Sequence, residues 1–365
     1  MTASTASGRR SPGPRVPAPA ELRDRVDREL AEFLDRGEPE FTSPPALHEV
    51  FRLLRRFVLG GGKRIRPLFC YWGWRGAGGA DCAEIVRAAA ALELFQAFAL
   101  MHDDIMDGSE LRRGEPALHR ALTDLHARHA WRGREAHFGM SVAILCGDLC
   151  LSYSDEMLHG CGLPDRRVRA AQELVHRMRT EVMIGQNLDL LDQATGGTLE
   201  GALTIIRFKA AKYTIERPLQ IGAVLAGAGP ELLAAYSDFA IPLGEAFQLR
   251  DDVLGVFGDS AVTGKPTLDD LREGKPTVLI ALARQRVSAA QAAQLAELHG
   301  NDRLDEEGAA TLRSIIAATG ALTAVEDMIR ERHERALAAA AAIPVPDEVR
   351  RALLDLAAAA TVRSS

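Results

Sequence analysis

The chain has 365 residues, of which 47% are hydrophobic, 26% charged and 5% aromatic, a composition that excludes a disordered protein. Its 44 basic and 50 acidic residues give a formal net charge of −6. This disfavours a nucleic-acid-binding protein, because such proteins carry a clustered basic excess. No stretch approaches the roughly 18 consecutive apolar residues of a membrane span, so no integral membrane segment is expected. The five cysteines form no CxxC pair, which predicts reduced thiols in a cytoplasmic protein.

The chain begins with a Pro- and Arg-rich segment, residues 1–20, which predicts a disordered tail because closely spaced prolines oppose a helix. Beyond it, apolar residues recur at helical spacing and almost nowhere alternate as in a strand. No linker rich in Pro, Gly or Ser interrupts the pattern, so a single all-helical domain is expected over 21–365. A first helix should end at Gly37. Further helices are expected over 47–59, 80–106, 137–159, 165–194, 199–226, 231–257, 276–287, 305–319, 321–342 and 347–361.

The most informative segment is a strongly apolar helix that leads directly into three carboxylates, Asp103, Asp104 and Asp107. A spacing of three and four residues allows all three to project toward one side at the end of the helix. Carboxylates at the end of a buried helix need compensating cations, and oxygen ligands at this spacing suit Mg²⁺. Taken alone, such a cluster more often decorates an exposed helix end than binds a metal.

A second acidic pair, Asp251 and Asp252, again follows an apolar helix, and Gln248 lies four residues before Asp252. The amide of Gln248 can therefore lie over the same site. Two such clusters facing each other across a helical bundle would form a metal-lined mouth above an apolar cavity. That arrangement suits a substrate with an anionic head and a hydrocarbon tail.

Basic residues accompany both acidic clusters. A glycine-rich turn at 60–62 precedes Lys63, and its backbone amides can approach phosphate oxygens. It is not a nucleotide P-loop, because neither Ser nor Thr follows the lysine and the glycine spacing differs. Separate basic sets predict two anionic groups, one held through metal and one held directly. The candidate cations near the glycines and the clusters are Lys63, Arg66, Arg112, Arg113, Lys265 and Lys275.

Taken together, these motifs resemble the trans-isoprenyl diphosphate synthases, the short-chain polyprenyl synthetase family. The resemblance covers about residues 45 to 280, and its motifs occur in the family's order. It rests on GGKRIRP, ELFQAFALMHDDIMD, LRRG, GDLCL, GQNLDL, FKAAKY, FQLRDD and VFGDSAVTGKP. The resemblance implies an all-α bundle around a deep central cavity and a homodimer. It also implies Mg²⁺-dependent, head-to-tail condensation of isopentenyl diphosphate with an allylic diphosphate.

The resemblance also implies a role for individual residues, none of which is assigned as a protein base. The metal ions would be bound by Asp103, Asp104, Asp107, Asp251 and Asp252. The allylic diphosphate would be held by Arg112, Lys209, Gln248, Lys265 and Lys275. Isopentenyl diphosphate would be held by Lys63, Arg66, Gln96 and Arg113. Support around the metal site would come from Gln186 and Asp189, for which a polar stripe on a core helix is an equal alternative.

The sequence departs from the family pattern at three positions. Gly255 stands where many members have a third Asp in the second cluster, and Ala210 stands where a Thr commonly follows the lysine. Gln96 stands where many relatives carry His. The first two departures leave open a catalytically silent subunit that modulates a partner synthase. A terpene cyclase is also an alternative, but it would need a second motif of the NDxxSxxxE type, and FQLRDDVLG is not one.

Product length is expected to depend on the residues below the first acidic cluster. Phe98 lies five residues before Asp103, which corresponds to roughly 7 to 8 Å along a helix. Ala99 leaves space beside it, and Phe95 lies one turn away. An aromatic residue followed by a small one is similar to geranylgeranyl-forming relatives, which makes geranylgeranyl diphosphate the expected product. Farnesyl diphosphate is the alternative.

Overall fold

The computed structural model describes residues 17–41, 45–258 and 268–361. Most of these residues are helical, and the predicted all-α fold is confirmed. A two-stranded hairpin, β1 (Leu111–Arg112) and β2 (Glu115–Pro116), follows the fourth helix. A π-helical segment, Ile206–Glu216, lies between α8 and α9. The helices are α1 (Pro19–Phe41), α2 (Pro45–Leu59), α3 (Ile65–Gly76), α4 (Ala83–Met106), α5 (Leu118–Arg128), α6 (Glu135–His159), α7 (Asp165–Thr195), α8 (Leu199–Ile205), α9 (Arg217–Ala226), α10 (Pro230–Phe257), α11 (Asp269–Arg272), α12 (Val278–Arg286), α13 (Ala289–Leu298), α14 (Glu306–Ala318), α15 (Ala321–Ala342) and α16 (Asp347–Thr361).

Several helices differ from the sequence-based expectation. The first helix begins at Pro19, two residues inside the predicted tail, and continues past Gly37 to Phe41. The helix α3 was not predicted, because its own residues are mostly aromatic or apolar around the whole circumference. It therefore has no polar face to give a periodic signal. The short helices α5 and α13 were also missed. The predicted helix over 199–226 contains the π-helical segment, and the predicted helix at 276–287 begins at Val278, where Thr277 caps it.

The hydrophobic core consists of two clusters that share helix α10. One cluster is built largely from α1–α7 and α9 and includes Tyr236 and Phe239 from the first half of α10. The other is built from α11–α15 and includes Leu249 and Val253 from the second half. Because one continuous helix contributes to both clusters, the acidic pair that follows Leu249 lies in the part of α10 that packs in the second cluster.

By length and composition alone, two helices in the described part of the chain could cross a membrane, α4 and α6, and the bent pair α14–α15 could form a third span. In α4, 67% of the apolar window is buried inside the protein, so the helix serves as a core element. In α6, only 28% of the window is buried. The exposed apolar surface of α6 therefore requires an explanation of its own.

Candidate active site

The end of α4 carries the first acidic cluster in a largely buried setting. The side chains of Asp104 and Asp107 are 1% and 3% exposed, and that of Asp103 is 25% exposed. One oxygen of each buried carboxylate, Asp104 Oδ2 and Asp107 Oδ1, has no hydrogen-bond partner among the described residues. Buried acceptors are normally satisfied, so these two oxygens mark a place where a cation or a ligand is expected.

Three cationic side chains from different parts of the chain surround this cluster. Arg112 Nε donates to Asp104 Oδ1 at 2.7 Å, and its Nη2 lies 3.5 Å from Asp103 Oδ2. Lys209 Nζ lies 3.7 Å from Asp103 Oδ1. Lys275 Nζ lies 3.0 Å from Asp107 Oδ2. The structure thus brings together the hairpin, the π-helical segment and the loop before α12, as the sequence reasoning required for a common anion site.

Burial governs the electrostatics of the cluster. It raises the pKa of Asp104 above its usual value, and Arg112 only partly offsets this effect. It likewise raises the pKa of Asp107, where Lys275 opposes the shift and the charge of Asp103 adds to it. The carboxylates are therefore held in a setting that favours additional positive charge.

The other predicted metal-side residues lie on α7 and α10. Asp189 is buried on α7 and accepts a hydrogen bond from Lys209 Nζ at 2.6 Å. Gln186, one turn earlier, contacts the sulfur of Met106 at 3.9 Å. Gln248 Nε2 donates to Asp252 Oδ1 at 2.9 Å, so the two side chains share a face as their four-residue spacing predicted. Lys265 lies outside the described residues.

A close contact positions the second acidic pair. At Gly244, an added Cβ would lie 2.3 Å from the Cα of Ala211, so α10 packs directly against the π-helical segment that carries Lys209. Asp251 follows Gly244 by two helical turns. Asp251 and Asp252 therefore lie on the helix that packs against the segment carrying Lys209.

The hairpin separates two neighbouring arginines. Arg113 and Gly114 form its two-residue turn with φ values of 57° and 78°, the positive values that such tight hairpins require. Arg112 extends to the carboxylates, whereas Arg113 Nη1 donates to the carbonyl oxygen of Gly61. An added Cβ at Gly62 would lie 3.1 Å from Arg113 Nη2. The turn therefore directs one arginine to each of the two predicted anion sites.

A second basic set lies beside the glycine-rich loop. The guanidinium of Arg66 stacks 4.0 Å above the ring of Tyr213, and Nη2 donates to Thr214 Oγ1 at 2.8 Å. Its buried Nε has no partner among the described residues. Tyr213 Oη donates to Gln96 Oε1 at 2.5 Å, which leaves the amide NH₂ of Gln96 as the donor available to a ligand. Sequence reasoning missed Tyr213, although it lies in the FKAAKY segment.

The part of α4 that precedes the cluster is only partly buried. Gln96, Ala99 and Asp103 share a face at helical spacing and are half-buried, as are Leu100 and His102. Phe98 is also half-buried and packs against Phe95, with 5.3 Å between ring centroids. Phe95 is fully buried. Phe95 therefore supports Phe98 from behind and does not itself line an open space.

Comparison with known proteins decides the family. The family model of polyprenyl synthetases matches residues 48–316. The chain belongs to the polyprenyl synthetase family. A solved geranylgeranyl pyrophosphate synthase from Corynebacterium glutamicum, complexed with isoprenyl diphosphate and magnesium, aligns with a TM-score of 0.90 and 42% identity over 94% of this chain and 99% of that one.

Curated relatives include synthases with different products. A geranylfarnesyl diphosphate synthase from Aeropyrum pernix is 32% identical over 336 residues, covering 91% of this chain and 96% of the relative. A (2E,6E)-farnesyl diphosphate synthase from Mycobacterium bovis is 30% identical over 300 residues, covering 81% and 78%. The resemblance to trans-isoprenyl diphosphate synthases is confirmed, and this polyprenyl synthetase is an enzyme, a prenyltransferase.

The residues at the site fit a magnesium ion bound together with a diphosphate. Among residues 17–41, 45–258 and 268–361, no three acidic, His or Cys side chains converge into a ready-made metal cluster. Because Mg²⁺ is usually held by one or two carboxylates plus substrate phosphates, such a cluster is not required. The unpartnered oxygens of Asp104 and Asp107 supply the hard, anionic donors that the ion prefers.

Proposed function

We propose that this synthase condenses isopentenyl diphosphate head to tail with an allylic diphosphate and releases geranylgeranyl diphosphate. The observation that carries the proposal is the convergence of Arg112, Lys209 and Lys275 on the carboxylates at the end of α4. A separate basic set consists of Arg66 on α3 and Arg113 in the hairpin turn, which contacts the glycine-rich loop. Two distinct anion sites are what a reaction between two diphosphates requires.

In the allylic site, the protein would act mainly through charge. We propose that the aspartates of both clusters hold Mg²⁺, and bound Mg²⁺ would neutralise charge on the leaving diphosphate. Arg112 and Lys209 would contact the same diphosphate from the hairpin and the π-helical segment, and Lys275 from the loop before α12. Because these groups are largely buried and fixed before substrate arrives, they stabilise the departing anion more strongly than water would.

In the second site, Arg66, Arg113, Lys63 and Gln96 would hold isopentenyl diphosphate. The unpartnered Nε of Arg66 and the NH₂ group of Gln96 are donors available to phosphate oxygens. Tyr213 fixes the amide orientation of Gln96 and supports the guanidinium of Arg66. No protein base is assigned to the final proton loss.

The product length rests on Phe98 and Ala99. The half-buried Phe98, backed by the buried Phe95, supports a floor below the metal ligands. The small side chain of Ala99 leaves room beside Phe98. The named products of the relatives, farnesyl, geranylgeranyl and geranylfarnesyl diphosphate, bracket the proposed chain length.

We also propose that the synthase is a homodimer. Apolar side chains are exposed on adjacent helices: Leu145 on α6 is 65% exposed, and Leu191 on α7 is 58% exposed. Met140 and Ile144 on α6, and Met183 and Ile184 on α7, are also exposed. A second copy of the chain would remove these apolar side chains from water.

We propose a cytoplasmic location for the synthase. Its five cysteines are free and four of them are buried, which agrees with a reducing compartment.

The test incubates the purified chain with isopentenyl diphosphate and dimethylallyl, geranyl or farnesyl diphosphate, with Mg²⁺ or EDTA, and identifies products by mass spectrometry. A Mg²⁺-dependent geranylgeranyl product is expected. A farnesyl or geranylfarnesyl product would keep the reaction and refute the proposed chain length. Hydrocarbon formed without isopentenyl diphosphate would indicate a cyclase. No product with any primer would favour a silent subunit and make Gly255 and Ala210 the decisive departures.

A further inference from the structure

Arg64 lies between two candidate ligands, Lys63 and Arg66, yet it is buried and only 3% exposed. Its backbone is left-handed, with φ 49° and ψ 37°, at the residue that precedes α3. This conformation costs a residue with a side chain free energy, and such conformations persist where the surroundings fix them. The surroundings of Arg64 therefore have to hold the start of α3 in place.

The guanidinium of Arg64 supplies that restraint by joining three helices. Nε donates to Asp27 Oδ1 on α1 at 2.7 Å, and Nη1 donates to Glu93 Oε2 on α4 at 2.9 Å. Nη2 donates to the carbonyl oxygen of Val58 on α2 at 3.1 Å. A planar guanidinium can satisfy three separated acceptors at once, whereas a lysine ammonium cannot reproduce this fork.

Glu93 connects this restraint to the second anion site. Its side chain is 4% exposed and accepts a hydrogen bond from Arg64 Nη1. It lies one helical turn before Gln96 on α4, and its charge acts on the guanidinium of Arg113. The same buried carboxylate thus anchors, through Arg64, the loop that carries Lys63, and it also acts near Gln96 and Arg113.

We propose that Arg64, held by Glu93, is the positioning residue of the isopentenyl diphosphate site. Arg64 does not touch the substrate. It fixes the loop 60–64 and the first turn of α3, so that Lys63 and Arg66 meet the diphosphate in one geometry. This inference rests on the proposed function, since isopentenyl diphosphate is the ligand it concerns.

The test compares Arg64→Lys and Glu93→Gln with a matched control, Arg75→Lys. Arg75 is a buried arginine at the other end of α3, and its Nη2 donates to Glu348 Oε1 at 2.9 Å, away from the site. Each variant is assayed for melting temperature, for the KM of both substrates, and for binding of isopentenyl diphosphate alone by calorimetry. Hydrogen exchange is followed at residues 60–63.

We expect Arg64→Lys and Glu93→Gln to raise the KM and the dissociation constant for isopentenyl diphosphate about tenfold or more, since small misplacements of binding groups are costly. The allylic KM should stay within about twofold of the wild-type value, and Arg75→Lys should change neither KM despite a comparable fall in melting temperature. Equal changes in both KM values, or none in that for isopentenyl diphosphate, would overturn the inference.

A wild-type chain that neither binds nor consumes isopentenyl diphosphate would instead refute the proposed function. Hydrogen exchange then tests the part of the inference that needs no ligand, which is that Arg64 orders the loop 60–64. Faster exchange at residues 60–63 in Arg64→Lys than in Arg75→Lys would support it, and equal exchange would overturn it.

Discussion

Replacement of Phe98 by Ala should lengthen the product of this synthase. Phe98 precedes Asp103 by five residues, so its ring lies about 7.5 Å along α4 from the first metal-side carboxylate. Its neighbour Phe95 is fully buried, and the two ring centroids are 5.3 Å apart. Removing the phenyl ring opens space next to Ala99, where a growing chain would otherwise meet the floor.

The substitution also has a stability cost that the structure bounds. Deleting a fully buried phenyl ring costs about 3 to 5 kcal/mol, and Phe98 is half-buried, so we expect a loss of about 2 kcal/mol. The protein should therefore remain folded and assayable. Phe51→Ala on α2 removes another half-buried phenyl ring outside the site and serves as the control.

The assay incubates each variant with isopentenyl and farnesyl diphosphate and measures product lengths by liquid chromatography and mass spectrometry. Phe98→Ala should give products at least one isoprene unit longer than the wild-type product, whereas Phe51→Ala should leave the distribution unchanged. A folded, active Phe98→Ala enzyme with the wild-type product distribution would refute the assignment of Phe98 as the floor.

Three further predictions concern pH, charge and assembly. Burial, with a smaller contribution from Arg284, lowers the pKa of His299 to about 4. The unfolded chain therefore binds a proton at His299 more tightly than the folded chain does. The free energy of unfolding should fall by about 3 kcal/mol as pH decreases from about 6.5 to about 4. In urea unfolding, His299→Gln should lack this part of the pH dependence, and an identical dependence in the variant would contradict the prediction. Lys275→Gln removes the ammonium that lies 3.0 Å from Asp107 Oδ2 and should raise the allylic KM about tenfold or more. The KM for isopentenyl diphosphate is the internal control, and equal increases in both KM values would argue against the assignment. Leu145→Glu places a charge on the exposed face of α6 and should convert the proposed dimer to monomers, as measured by light scattering. A variant with the same mass as the wild-type protein would contradict this prediction.

The shared direction of the first acidic cluster could be predicted from the sequence, because this information is local. Asp103, Asp104 and Asp107 lie within one and a half turns of a helix, and helical periodicity alone directs them to one side. The same holds for Gln248 and Asp252, whose four-residue spacing predicted a shared face, and in the structure the two side chains are hydrogen-bonded. The family resemblance then rested on motif order, which is also a property of the chain.

The partners of these residues depended on the tertiary structure. Nothing in the spacing of Lys275 and Asp107 predicts a distance of 3.0 Å, because long-range contacts depend on how α4 and the loop before α12 meet. The hairpin that separates Arg112 from Arg113 was missed because two-residue strands give no periodic signal. The π-helical segment was predicted as part of an ordinary helix over 199–226.

Arg64 shows most clearly which properties the sequence determines and which depend on the tertiary structure. In the sequence Arg64 is one of three cations in GGKRIRP, and nothing there distinguishes it from Lys63 and Arg66 as a candidate phosphate ligand. In the structure it is buried among Asp27, Glu93 and the carbonyl of Val58. The sequence determined which groups are available, since residue type and helical period are local properties. Only the packing of α1, α2 and α4 decided which cation turns inward, because burial is a property of the assembled helices.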